Sequence, residues 1–331
     1  MPIEVAIPAE LNGPPTDLLD SVSKLMYDAV SLLLSERSVA VPDVRVVLAA
    51  DVMDAASSES ERLGLDPDRR VGSERAGGIV GGKCLLSPDR RSASVIVAPL
   101  LLVAVDGNLQ VQAAGILGHE FGHLLFGAAR GSEVEAIEHA WKPWDVAGVI
   151  ALEAAEEFRV SRFGNAMAEV ILQPKDASGE DVLLADVAGP LYRAGLPVAF
   201  EAVSPKLQQT ILSYRLHKLS LEQMWSSVVR TTEEVALYIA YAEANTTGTE
   251  IAIDESLPVA RLLEPFWRPL LSRLRETPLL PEAGEWEQDR ECFMEIGRQG
   301  FAEFWLRLGL ETRPEGDAFH LSVIDPDDGP R

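Results

Sequence analysis

His119, Glu120 and His123 stand in the stretch Gly118–Leu125, which reads GHEFGHLL and has the H-E-x-x-H arrangement. Four residues advance a helix by about 400°, so on a helix the two imidazoles lie one turn apart on one face and converge on a tetrahedral metal ion. The spacing offers two ligands of a zinc site. Glu120, about 100° further round, lies outside that ligand plane but within reach of a water at the metal, which makes it the candidate general base. A catalytic zinc keeps three protein ligands and an open position for water. The third ligand comes from elsewhere: Phe126 and Ala129 occupy the positions where a longer histidine motif would continue, His139 sits in a polar stretch, and His217 and His320 lie far along the chain.

The stretch downstream supplies carboxylates instead. Winding residues 145–172 as a helix at about 100° per residue puts Val146, Val149, Ile150, Val160, Gly164 and Ile171 along one stripe. Glu153 and Glu157 fall in its middle, and Glu156 lies towards its edge. An acid on the apolar face of a core helix is costly to bury unless it is paired or binds a metal. One of the two inward glutamates can bind zinc while the other, one turn away, accepts a hydrogen bond from a ligand imidazole and holds its tautomer. Salt bridges to Arg159 or Arg162 are the simpler alternative.

These residues resemble the gluzincin-type zinc metallopeptidases, in which H-E-x-x-H on one helix is followed by a glutamate on the next. Glu157-Phe-Arg-Val-Ser-Arg-Phe-Gly164 is similar to the E-x-x-A-D-R-F-A/G element of the integral-membrane and prophage-type branches of that class. There the leading glutamate is the third ligand, which points to Glu157. Val160 stands where Ala is usual and Ser161 where Asp or Asn is usual, and a register with Glu153 as ligand and Glu157 as the imidazole's partner stays open. The resemblance covers about residues 43–175 and implies a zincin-like fold in which an edge strand binds an extended peptide antiparallel. Ala93–Leu101 is the strand expected to do so, by adding main-chain hydrogen bonds to the substrate. The implied reaction is amide hydrolysis, with Glu120 moving the proton. Such enzymes usually add a donor for the oxyanion. Tyr214, His217, Tyr238 and Tyr241 are candidates only, each better explained as a helix-packing residue and none assigned to the site.

Several elements must hold this constellation. Residues 15–36 place Leu18, Val22, Leu25, Met26, Ala29 and Leu33 at helical spacing. Asp43–Ala50, Gly77–Leu86 and Ala93–Leu101 read as strands of a small sheet, the last two joined by the turn SPDRR. The motif helix runs from Asn108 to about Phe126, with Asp106 or Asn108 as cap and Gly127 beyond its end. Gly115, Gly118 and Gly122 leave one side of it bare enough for a sheet to approach. A second helix comes next, over Asp145–Leu172, and QPKDASGED marks a boundary. Helical periodicity then dominates residues 181–194, 205–244, 257–276 and 286–309, with a short strand at Phe319–Ile324. The expected organisation is α+β: a zincin-like domain over residues 1–175 and a mostly α-helical domain over residues 176–331.

Composition narrows the field further. The 331 residues carry 29 Lys and Arg against 52 Asp and Glu, a net charge of −23, and this acidity opposes binding to phosphate backbones or anionic lipid. Neither nucleic acid nor a membrane surface is an expected partner; a peptide or protein substrate is. The longest apolar stretch, Val95–Val105, contains Pro99 and falls short of the roughly 20 residues of a membrane span. The amino-terminal stretch lacks the pattern of a secretory signal, and Cys84 and Cys292 lie far apart, which together suggest a cytoplasmic protein with reduced thiols. Gly77–Cys84 matches G-x-x-x-x-G-K, but no apolar strand precedes it and Pro88 interrupts the segment after it, so a glycine-rich strand pair is expected rather than a phosphate loop. The expected function is a zinc-dependent peptidase with Glu120 as general base, His119, His123 and Glu157 (or Glu153) as ligands and one catalytic Zn2+. The alternative is a zinc-stabilised, non-catalytic module for regulation or protein interaction, which would have no use for Glu120 beside the water position.

Overall fold

A computed structural model describes residues 3–6, 15–65, 74–75, 78–79, 82–98, 107–129, 143–173, 184–246, 251, 253, 258–280, 285–315 and 318–324. Among these residues the chain is mixed α and β and mostly helical, with eight helices, a four-stranded sheet and two strand pairs. It divides into two compact units, one of residues 1–132, 159–191 and 244–248, the other of residues 133–158, 192–243 and 249–331.

In the first unit, strands β1 (Ile3–Ala6), β2 (Asp43–Leu48), β5 (Gly82–Leu86) and β6 (Ser92–Val97) form the sheet, in the order β1-β2-β6-β5. The first three run parallel and β5 runs antiparallel to β6. Ala93 to Val97 are all buried in succession, as in a strand covered on both faces. Helix α2 (Val52–Leu63) covers one face, where Val52, Ala56 and Leu63 pack with Leu85 and Ile96. On β5, side chains alternate, so Gly82, Cys84 and Leu86 share the other face. That face meets helix α3 (Gly107–Ala129), which packs on β5 and β6 beside helix α1 (Pro15–Glu36).

The periodicity of residues 52–63 is too polar to announce a helix, yet α2 is well delimited. The Asp51 carboxylate accepts the N–H groups of Met53 at 2.8 Å and Asp54 at 3.1 Å, and Gly64 ends the helix at φ +70°. Its buried Glu59 accepts hydrogen bonds from Ser94 at 2.5 Å, Arg62 at 2.6 Å and Arg45 at 3.2 Å.

Two expectations about the sheet need correction. Ala93–Leu101 is not an edge strand: β6 lies between β2 and β5, and residues 99–101 lie outside the described ones. Among the described residues β5 is the strand with a single neighbour on that side of the sheet. The stretch Gly77–Leu86 divides into β4 (Gly78–Ile79), which pairs with β3 (Glu74–Arg75), and β5. Lys83 therefore lies within a strand and does not open a helix, as it would after a phosphate loop.

The second unit is built from the first half of helix α4 (Pro143–Leu172), most of α5 (Leu184–Arg215), and helices α6 (Leu221–Ala244), α7 (Pro258–Glu276) and α8 (Glu285–Arg307), with the hairpin β7 (Leu310–Glu315) and β8 (Ala318–Val323). Helix α4 is thus common to both units. The helical run expected over residues 205–244 is two helices. His217 at φ +55° ends the first, and a reciprocal capping box starts the second: Ser220 Oγ accepts from the Gln223 N–H at 3.1 Å, and Gln223 Oε1 from the Ser220 N–H at 2.9 Å. Helix α7 continues through Pro265, which leaves the Arg261 carbonyl without its helical donor; Arg307 of α8 supplies one at 2.9 Å. Phe266 of α7 stacks on Phe301 of α8 with ring centroids 3.7 Å apart, while Trp305 of α8 donates a hydrogen bond to Thr232 of α6 at 3.3 Å.

Candidate metal centre

The H-E-x-x-H residues lie in the middle of α3, and the second half of α4 packs along it at unusually short range. A Cβ placed on Gly118 would stand 2.9 Å from the Cα and O of Gly164, and one on Gly164 would stand 2.5 Å from the backbone N of His119. One turn on, a Cβ on Gly122 would meet Val160 Cβ at 3.0 Å. The glycine side of α3 thus receives a helix, α4, where the sequence suggested a sheet. Only residues without a side chain allow backbones to come this close. The consequence is that side chains on this face of α4 start a few ångströms from the two histidines.

His119 and His123 are half-buried, one turn apart, with ring planes 83° from each other and Nε2 atoms 3.2 Å apart. Ser161 of α4 lies with its Oγ 3.2 Å from His119 Nδ1. That pairing suits the tautomer with the proton on Nδ1, which leaves the Nε2 lone pair for a cation. Glu157 precedes Ser161 by one turn and so shares its face of α4. It is buried, at 5% exposure. One ligand atom from each of His119, His123 and Glu157 lies within 4.8 Å of the other two. Arg159 and Arg162, the alternative ion-pair partners, stand two and five residues on and off that face; Arg159 is buried and Arg162 exposed.

Two imidazoles and a carboxylate are the donor set of one kind of catalytic zinc. Donors about 2.0–2.1 Å from a tetrahedral ion lie about 3.3 Å from each other, close to the 3.2 Å between the two Nε2 atoms. The residues fit such an ion in donor type and in the spacing of the two imidazoles. Among the described residues this is the one group of His, Cys, Asp or Glu with that spacing.

Glu120 is buried at 6% exposure and lies against the edge strand β5. A Cβ on Gly82 would stand 2.8 Å from Glu120 Cγ and 2.9 Å from its Oε1, so the glycine at this strand position makes room for the carboxyl. Glu153, the alternative third ligand, is exposed and does not belong to the group. The buried side of this half of α4 is made by Ile150 of the expected stripe together with Ala147, Ala151, Ala154, Ala155 and Phe158, which that stripe left out.

The four oxyanion candidates separate. His217 is exposed in the turn before α6, and Tyr214 is half-buried near the end of α5. The Tyr238 hydroxyl occupies the space a Gly195 side chain would take, and burial pushes this phenol above its ordinary 10.0. Tyr241 donates a hydrogen bond to Glu157 Oε2 at 2.7 Å. Sequence reasoning singled out Tyr241 for a different role and had no means of pairing it with Glu157, because the two are 84 positions apart. His139 lies outside the described residues, and His320 is exposed on β8. No helix among the described residues is long and apolar enough to cross a membrane. Compared with known protein families, curated proteins and solved structures, the chain matches none.

Proposed function

We propose that the chain is a zinc-dependent peptidase whose metal is held by His119, His123 and Glu157. The observation that carries this reading is the convergence of those three ligand atoms beside a buried glutamate on the same helix turn. An ion held there would supply Lewis-acid polarisation of a substrate carbonyl and a water of lowered pKa. Glu120 takes the proton from the attacking water as the C–O bond forms and returns it to the nitrogen as the C–N bond then breaks, so a carboxylate and an amine leave. Ser161 keeps the His119 ring in the tautomer and orientation that binding requires. Among the described residues strand β5 pairs with β6 alone, and an extended peptide would add to its other edge. Gly82 on that strand lies next to Glu120, which brings the docking edge and the proton carrier together.

The test is Glu120→Gln assayed on a mixed peptide library with the zinc content measured in parallel. The reading expects cleavage by the wild type, and at least a hundredfold loss in the variant with zinc retained, given that general-base catalysis contributes about 10²–10⁴-fold. Equal cellular function of wild type and variant, with no cleavage by either, would instead favour the non-catalytic zinc module.

A further inference from the structure

Glu157 has two oxygens, and the structure distinguishes them. Oε2 accepts the hydrogen bond from Tyr241 at 2.7 Å, the length of an O–H donating to a carboxylate oxygen. Tyr241 sits on α6 and is itself half-buried, in a stretch where Ile239, Ala240, Ala242 and Ala244 are buried. The same carboxylate offers one ligand atom to the group with His119 and His123. We propose that Tyr241 is a positioning residue for the metal centre: it holds Oε2 so that Glu157 binds the cation through a single oxygen, with the carboxylate oriented before the cation arrives.

This inference rests on the reading of the site as a zinc site. It differs from an oxyanion role for the same tyrosine, in which the phenol proton points at substrate and its removal lowers turnover without changing metal affinity. Here the proton points at Glu157, a buried carboxylate. Partners of metal ligands are worth about 10–100-fold in affinity. The hydroxyl of Tyr241 is expected to fall in that range.

The experiment is a competition titration of the metal-free full chain with zinc against a chelating dye, for wild type, Tyr241→Phe and Glu157→Gln. Phe keeps the ring and deletes only the hydroxyl, and the denaturation midpoint of the metal-free protein verifies its fold. The expected result is a roughly 10–100-fold weaker zinc affinity in Y241F, a greater loss in E157Q, and a changed visible spectrum for the cobalt(II)-loaded Y241F protein. X-ray absorption of zinc-loaded wild type needs no variant and is expected to show one carboxylate oxygen at about 2.0–2.2 Å, not two. Wild-type affinity and cobalt spectrum in Y241F, with E157Q impaired, would overturn the role of Tyr241 and leave the zinc site standing. No zinc binding by the wild type would instead remove the zinc reading, and the inference with it.

Discussion

Glu59 and Glu157 are both buried acids on helices, Glu59 among arginines and Glu157 in one group with two histidines. Glu59 is surrounded by donors, Ser94, Arg62 and Arg45, so both its oxygens are engaged. Burial alone would raise its pKa; the hydrogen bonds from Ser94 and Arg62 and the two arginine charges outweigh it and hold the carboxyl below its ordinary 4.5. A carboxyl that is more acidic folded than unfolded contributes stability that is fully present above pH 4.5 and is lost as pH falls through the lower folded value. Glu59→Gln should therefore destabilise the fold by about 1–3 kcal/mol at neutral pH, measured by chemical denaturation, and the gap to wild type should close in acid. A gap that persists or widens below pH 4.5 would show that the charge is not what matters. Helical winding read both Glu153 and Glu157 as inward acids; Glu157 is buried, whereas Glu153 is exposed. The pairing of Glu157 with Tyr241 was not legible, since a contact between helices far apart in the chain leaves no trace in local spacing.

Glycines decide how helices α3 and α4 meet. Gly118, Gly122 and Gly164 let the two backbones approach, and the atoms facing Gly164 are main-chain atoms that cannot swing aside. Gly164→Ala should push the helices apart at about 1–3 kcal/mol of stability and weaken metal binding, because Ser161 and Glu157 ride on the same helix. Gly127→Ala on α3 is the control: its Cβ would meet only the Leu86 side chain at 3.4 Å, so it should be neutral or gain up to about 1 kcal/mol from helix propensity. Denaturation midpoints and zinc titrations of both variants check this; similar behaviour of the two would refute the close approach of the helices. The bare glycine side was legible on α3, but the sequence could not say that a helix would fill it. Strand identity was legible for β2, β5 and β6, whereas strand order was not: hydrophobic runs mark a strand without naming its neighbours, and the edge fell to β5. Helix α2 was hidden because its polar, serine-rich run buries Glu59 and Ser60 in place of a full apolar stripe.

At the scale of the molecule, an acidic chain of net charge −23 divides into two compact units that share helix α4. The mixed α and β character, the strong helical bias of the later residues and the lack of a membrane-spanning helix among the described residues were all readable from composition and periodicity. The break between α5 and α6 went unread, although Ser220 and Gln223 have the S-x-x-Q spacing of a capping box, because neither Gly nor Pro marks it. Function turns on whether a metal ion occupies the His119, His123 and Glu157 group. The direct measurement is the metal content of the full chain purified without added zinc, alongside His123→Ala whose fold has been verified by denaturation. About one zinc ion per wild-type chain and almost none in the variant is the predicted result. Metal-free wild type that takes up no zinc on titration, or equal zinc in the two proteins, would contradict it.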